Sequence, residues 1–265
     1  MAYKAKTAIV TGASSGIGKA VAQALLVEGY YVYGFSRKPY DAGDVKHISV
    51  DVTDGQALAL ACKRVAQESG GIDLLIANAG YGISGTAEYT EAADARQQMD
   101  VNFFGFLFSA QAVLPYMRQT GGKIIAVSSV AAEFSIPFQS FYSASKAAVN
   151  ALALALQTEV KPFGVTVSVV MPGDVATGFT AAREKSLAGQ AVYGAVMQRS
   201  VARMEKDEQN GMTPAYVAQK IVTVIKKKRP KPIYTVGRQY KLFVLLNKVL
   251  PKRLVRYAIA KMYAK

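Results

Sequence analysis

The sequence predicts an α/β fold, a single-domain doubly wound parallel sheet with a C-terminal amphipathic helical extension. Three observations carry that prediction. Short apolar, β-branched runs alternate along the chain with longer stretches of helical period, the order of a sheet whose strands are joined by helical crossovers. The runs are near-continuously apolar, as strands covered on both faces are. The first run passes into a helix through "TGASSGIGKA", three glycines at a strand-to-helix turn.

Taken in order, "TAIVTG", "YVYGFS", "HISVDV", "DLLIANAG", "KIIAVSS" and "VTVSVVMPG" read as six buried strands. Between them "GKAVAQALLVEG", "ALALACKRVAQES", "ADARQQMDVNFFGFLFSAQAVLPYMRQ" and "FYSASKAAVNALALALQTEVKPFG" read as helices. Right-handed crossovers then place ligands at the strands' carboxyl ends. Residues 179–212 follow the sixth strand and interrupt the alternation, the position of a lid over a pocket. One domain, 1–265, thus divides into a core at 5–178, a lid at 179–212 and a basic helical tail at 237–265.

Composition narrows the function classes. With 51% apolar residues in 265, the chain can bury a large core. The lone cysteine, Cys62, excludes an intramolecular disulfide framework and reads as a small buried hydrophobe. "MAYKAKTAIVTG" has no signal-peptide apolar region, and no run approaches the ~18 apolar residues of a membrane span, so a cytoplasmic location is expected. The net charge of +14 belongs to the end of the chain: residues 226–265 hold thirteen Lys or Arg and no Asp or Glu, against nineteen basic and eighteen acidic residues before them. A nearly neutral body with a basic tail argues against a nucleic-acid-binding face. His47 is the only histidine, which disfavours a metal centre and a serine hydrolase triad; it is expected to cap the third strand's start.

At the first turn, Gly12, Gly16 and Gly18 let the backbone approach a pyrophosphate held by the helix N-terminus. At the end of the second strand, "FSRK" offers the Ser36 hydroxyl and the Arg37 cation where a carboxylate would repel a 2′-phosphate, which favours NADP(H) over NAD. Asp51 in "DVTD" stands at the adenine amino group, as a helix or loop cap, or as both. "FYSASK" puts Tyr142 and Lys146 four apart on one helical face. A phenol titrates near 10, and lowering it toward neutrality takes roughly 4 kcal/mol, more than a lysine at a solvated surface supplies and within reach of a desolvated site with a nicotinamide's positive charge nearby.

Six motifs occur in order: "TGASSGIG", "NAG" at residues 78–80, "VN" at Asn102, "VSSV" with Ser129, "YSASK" and "PGDVAT". Over residues 5–180 they resemble a short-chain dehydrogenase/reductase of the Tyr-x-x-x-Lys type, a Rossmann-type fold. The phrases "NAGYGISGTAE", "VSSVAAEFSIPFQSFYSASKAAV" and "PFGVTVSVVMPGDVATGF" are similar to the branch containing 17β-hydroxysteroid and retinol dehydrogenases. The resemblance implies that Tyr142 exchanges a proton with the substrate oxygen, that Ser129 hydrogen-bonds that oxygen, and that Lys146 holds the nicotinamide ribose and lowers the Tyr142 pKa. Ser128 is then turned to the other side of the strand end. Asn102, mid-helix, becomes part of a water relay to Lys146, the alternative being an ordinary satisfied polar residue. The implied cofactor contacts are Gly12, Ser14, Ser15, Gly16, Ile17 and Gly18 in the first turn and Ser36, Arg37, Asp51 and Val52 at the adenosine end. Asn78, Ala79 and Gly80 stand behind the ribose, Tyr142 and Lys146 reach it, and Pro172, Gly173, Val175 and Thr177 contact the nicotinamide end. "ANAG" departs from the family's doubled asparagine but keeps the matched Asn78. A homodimer or homotetramer is expected on the same ground.

Substrate contacts are expected from Ser129, Tyr142, Tyr81, Phe134, Phe138 and Phe179, with Ile83, Ile136, Tyr193 and Met197 nearby. This apolar set points to a lipophilic ketone, aldehyde or alcohol, of steroid, retinoid or long-chain type. The competing reading is a non-catalytic NADP(H) sensor on the same fold. In the tail, Leu242, Leu245, Leu246, Val249 and Leu250 form one apolar stripe, with Lys241 and Lys248 off it. After Pro251, Leu254, Val255, Ala258, Ile259 and Met262 form a second, with Arg253, Arg256, Lys261 and Lys265 off it. The stripes pack on the body or a partner subunit, rest peripherally on an anionic membrane, or grip a polyanion.

Overall fold

The computed structural model describes residues 5–186 and 188–264; Leu187 of the lid and Lys265 of the tail lie outside the described residues. In chain order the elements are β1 (Thr7–Thr11), α1 (Gly16–Val27), β2 (Tyr31–Ser36), β3 (Lys46–Ser49), α2 (Gly55–Ser69), β4 (Leu74–Ala77), β5 (Ile83–Ser84), α3 (Ala92–Met99) and α4 (Gly105–Thr120). They continue with β6 (Gly122–Val127), α5 (Ser140–Val160), β7 (Val165–Pro172), α6 (Phe179–Ala182), β8 (Glu184–Lys185), α7 (Gln190–Gln209), α8 (Pro214–Ile225), β9 (Ile233–Val236), α9 (Arg238–Val249) and α10 (Lys252–Tyr263).

Seven strands form one parallel sheet in the order β3-β2-β1-β4-β6-β7-β9. Successive side chains of a strand face opposite sides, so Ala8 and Val10 meet Val21, Leu25, Val217 and Ile221 of α1 and α8, while Ile9 belongs to the core formed with Leu58, Val113 and Val149 of α2, α4 and α5. Both faces are therefore covered. Strand order reverses between β1 and β4, and the crevice outside their carboxyl ends is where such a sheet takes a ligand.

Three features differ from the sequence reading. A seventh strand, β9, extends the sheet by pairing Val169 with Ile233 through Pro172 with Val236. It is four residues long and follows Pro230 and Pro232, a composition that suits an edge and gives little strand signal. The long helix expected across 93–119 is interrupted by a π-helical stretch, Asp100–Phe104, which carries Asn102; such stretches displace a side chain that a regular helix would aim elsewhere. The lid is tied down at its base, because β8 pairs with β5 and Val175 bridges to Met212.

The tail is two helices broken at Pro251, as the pattern predicts. Its inward face is not the expected one. Tyr240, Val244 and Asn247 are buried, and the leucine stripe opposite them is turned outward. Asn247 is admitted to the interior because its Nδ2 donates to the Glu133 carbonyl at 3.1 Å, which removes the cost of burying the amide. The packing alternative therefore fails for the first stripe on the body itself.

Candidate active site

A cleft of about 470 Å3 runs across the carboxyl ends of the strands at the β1/β4 reversal. The first turn forms one end. Asn78 Nδ2 donates to the carbonyls of Thr11 (3.1 Å) and Gly12 (3.3 Å), and Thr11 Oγ1 accepts from the amides of Asn78 and Ala79, which fastens the turn to the end of β4. Gly18 lies where a Cβ would stand 2.2 Å from the Gly12 carbonyl oxygen, so only glycine lets α1 start this close to β1. Gly16 has φ +53, and a Cβ there would reach to 3.4 Å of the Thr177 side chain. Ser15 occupies the N-cap of α1 without using its side chain there, which leaves first-turn amides directed at the cleft. The cradle fits a pyrophosphate.

Gly12, Ser14, Ser15, Gly16, Ile17, Ser36, Arg37, Asp51, Val52, Asn78, Ala79, Gly80, Pro172, Gly173, Val175 and Thr177 all line this cleft; Gly18 stands behind it. At the adenosine end Arg37 is exposed at the rim. The Ser36 hydroxyl donates to the Lys38 carbonyl at 2.9 Å and lies 3.0 Å from His47 Nε2. His47 is thus inside β3 and braces the end of β2, with its ring edge-on to Tyr40, instead of capping the strand start. The Asp51 carboxylate takes the loop-cap role, accepting from the Thr53 amide (2.9 Å) and hydroxyl (2.8 Å).

Tyr142, Lys146 and Ser129 meet at the middle of the cleft. Ser129 ends the extended segment after β6, and Tyr142 and Lys146 project from the first turns of α5. Ser128 donates to the Lys146 carbonyl at 3.2 Å, so it is turned away from the cleft's reacting side as the strand geometry predicts. Lys146 Nζ donates to the Val127 carbonyl at 3.0 Å and lies 5.8 Å from the centre of the Tyr142 ring. Burial pushes the Lys146 ammonium down to about 8. Burial pushes the Tyr142 phenol up to about 12, and the Ser129 hydrogen bond only partly opposes it. The expected lowering of Tyr142 by Lys146 is therefore not produced by the chain on its own: the desolvation that sharpens their interaction penalises both charged forms. The phenol holds its proton at neutral pH, the state needed to donate to a carbonyl oxygen.

Asn102 is buried and fully engaged. Its Nδ2 donates to the Tyr81 carbonyl (3.0 Å) and Ser145 Oγ (2.9 Å), and its Oδ1 accepts from the Tyr81 amide (3.0 Å). A cavity of about 10 Å3, near the size of one water, separates it from Lys146 and Thr11. Asn102 thus locks the loop after β4 to α5 and borders a space where one water could connect it to Lys146.

Of the expected substrate residues, Tyr81, Ile136 and Phe179 line the cleft. Phe179 lies against Tyr142 with ring centres 5.5 Å apart. Phe134 packs into the core, Ile83 and Met197 are buried, and Phe138, held at φ 60, faces Tyr193 at 6.1 Å, away from the cleft. Tyr193 donates to the Glu88 carboxylate at 2.7 Å. Sequence reasoning missed three acidic groups on the lining, Asp174, Glu184 and Glu208. Asp174 stood inside the quoted "PGDVAT" motif; burial raises its pKa while the Tyr240 hydroxyl, donating at 2.6 Å, opposes the rise. Glu208 pairs with buried Arg183 and accepts from Thr180 Oγ1 at 2.6 Å, joining the two ends of the lid. Among the described residues no cluster of His, Cys, Asp or Glu could hold a metal ion.

A pH profile of turnover tests the proposed part of Lys146. Its ammonium is charged below about pH 8 and neutral above it, so kcat/KM is expected to hold level through neutral pH and fall above about 8. A profile flat well beyond that point would remove Lys146's charge from the mechanism.

Residues 6–188 match the family model described as short chain dehydrogenase. The 3-ketodihydrosphingosine reductase of Bacteroides thetaiotaomicron is 42% identical, with 97% of each chain covered. The NADPH-dependent 3-dehydrocapnine reductase of Ornithobacterium rhinotracheale is 31% identical, with 94% of each covered. The crystal structure of a short-chain dehydrogenase from Streptomyces avermitilis superposes with a TM-score of 0.84 at 29% identity, covering 98% of this chain and 97% of that one. Matched from its first strand into its lid, and with the ordered motifs converging on one cleft, this chain belongs to the short-chain dehydrogenase/reductase family of oxidoreductases acting on CH-OH and C=O groups.

Proposed function

We propose that the protein is an NADP(H)-dependent reductase of a lipophilic, long-chain ketone, with Tyr142 as proton donor. The observation that carries the reading is the meeting of Tyr142, Ser129 and Lys146 in a cleft whose substrate end is lined by Tyr81, Ile136 and Phe179. Arg37 at the rim of a cradle that fits a pyrophosphate supports the phosphorylated cofactor, as does the relative named as NADPH-dependent. The ketone class is supported by the 42%-identical relative named for 3-ketodihydrosphingosine.

Bound NADPH supplies the hydride that turns the carbonyl carbon into CH-OH. The chain's own residues manage the oxygen. Ser129 donates to it as negative charge gathers, Tyr142 delivers the proton that completes the hydroxyl, and Lys146 holds the ribose and stabilises the phenolate left behind. Asn102 keeps Tyr81 and α5 in register, and the aromatic wall of Tyr81 and Phe179 excludes water. The working form is a homodimer or homotetramer in the cytoplasm, with the 237–265 tail in peripheral contact with an anionic membrane.

NADPH consumption measured with a carbonyl panel is expected to be fastest with 3-ketodihydrosphingosine, slower with a steroid ketone or retinal, and slowest with a sugar. Activity led by the sugar would sink the lipophilic reading, and silence across the panel would sink the reductase.

A further inference from the structure

We propose that α9 is a two-faced helix whose outer face seats on an anionic bilayer while its inner face carries both walls of the active-site cleft. The outer face is built for an apolar medium. Leu242, Leu245 and Val249 are 54%, 58% and 71% exposed, Leu246 and Leu250 flank them, and the next helix adds Leu254 at 51%. Exposed Arg238, Lys241 and Lys248 border this face, and α10 continues with Arg253, Arg256 and Lys261. A cation-rimmed apolar helix face is the chemistry of an interfacial membrane helix. Charge decides between occupants. Residues 226–265 contain thirteen Lys or Arg and no Asp or Glu, so a second copy stacking the same face on this one would oppose cation to cation. Anionic headgroups over an acyl layer satisfy both the rim and the stripe.

The inner face makes the docking consequential. Tyr240 lies under Gly173, where a Cβ would come within 2.1 Å of its ring, and its hydroxyl holds Asp174 of the cleft wall at 2.6 Å. Two turns on, Asn247 holds the Glu133 carbonyl in the segment between Ser129 and Tyr142. One helix thus touches both active-site segments, and seating its other side on a membrane fixes the cleft relative to the surface in which a lipophilic substrate dissolves. This deepens the membrane-contact part of the proposed function, but docking is measured without substrate, so the two can fail separately.

The test is flotation of the full chain with vesicles at low salt, alongside NADPH oxidation with a water-soluble carbonyl. Flotation is expected with phosphatidylcholine containing phosphatidylglycerol, is lost with phosphatidylcholine alone, and is reversed by high salt. Leu242→Glu, Leu245→Glu and Val249→Glu combined should abolish flotation and leave soluble turnover unchanged. Lys241→Ala and Lys248→Ala should each weaken vesicle affinity about five-fold, and they decide the matter if the triple variant does not fold. A full chain that stays at the bottom of the gradient, flotation indifferent to lipid charge, or variants that float like the parent would each overturn the proposal. A triple variant that dissociates an oligomer, with no flotation by the parent, would assign the face to a second copy instead.

Discussion

Tyr142→Phe is expected to lower NADPH-dependent reduction by about 10²- to 10⁴-fold, the worth of a positioned proton donor, while cofactor affinity by calorimetry changes little. The phenyl ring that lies against Phe179 survives the substitution, and so does the cradle formed by the first turn and Asn78. What disappears is the hydroxyl that Ser129 supports and burial keeps protonated. Loss of a hydrogen bond to Ser129 costs only about 1 kcal/mol of stability, so folding and NADPH binding separate cleanly from turnover. The reverse reaction needs the phenolate, and with the phenol pushed up to about 12, alcohol oxidation should accelerate as pH rises. Turnover that survives in the phenylalanine variant would place the proton donor elsewhere.

Glu208→Ala should cost about 3–5 kcal/mol in denaturant unfolding, because it strands a buried guanidinium. Arg183 has no exposed side-chain surface, and its partner is the Glu208 carboxylate from the far end of α7. Its guanidinium also lies 5.6 Å over the Phe179 ring, which in turn faces Tyr142. The pair therefore fixes the lid and the aromatic wall together, and substrate KM should rise with the stability loss while NADPH affinity stays near that of the parent. Arg183→Met with Glu208→Leu, which removes both charges and keeps the volume, should recover most of the stability without the same positioning. A single Glu208 variant as stable as the parent would show that the lid does not depend on this pair.

The candidate site was legible because it is written locally. The glycine turn before α1, the Tyr142–Lys146 spacing on one helix and Ser129 at a strand end are short-range arrangements, and all three stand in the cleft. Phe134 and Phe138 were not separable from true lining residues in the same way. They lie in the loop before α5, and whether such a side chain enters the cleft or the core depends on what packs against it: Phe134 met the core, and Phe138 met Tyr193 from α7. The pKa of Tyr142 in the chain on its own was not legible for a related reason. Helical spacing reveals a neighbouring cation, but not the burial that outweighs it.

The sequence by itself determined the doubly wound sheet up to its sixth strand, the glycine turn before α1, the side chains that meet in the cleft and the basic, twice-amphipathic tail, since each is a matter of periodicity or of spacing within a few residues. Only the tertiary structure decided the edge strand β9, the Arg183–Glu208 clasp across the lid, and which face of α9 is inward. These rest on contacts between residues far apart in the chain, and a hydrophobic pattern is blind to their partners. On the wheel, the leucine stripe of α9 is the natural face to bury. In the molecule, Tyr240 and Asn247 reach polar partners at Asp174 and Glu133, so the helix turns that side in and leaves its leucines, rimmed with cations, facing outward.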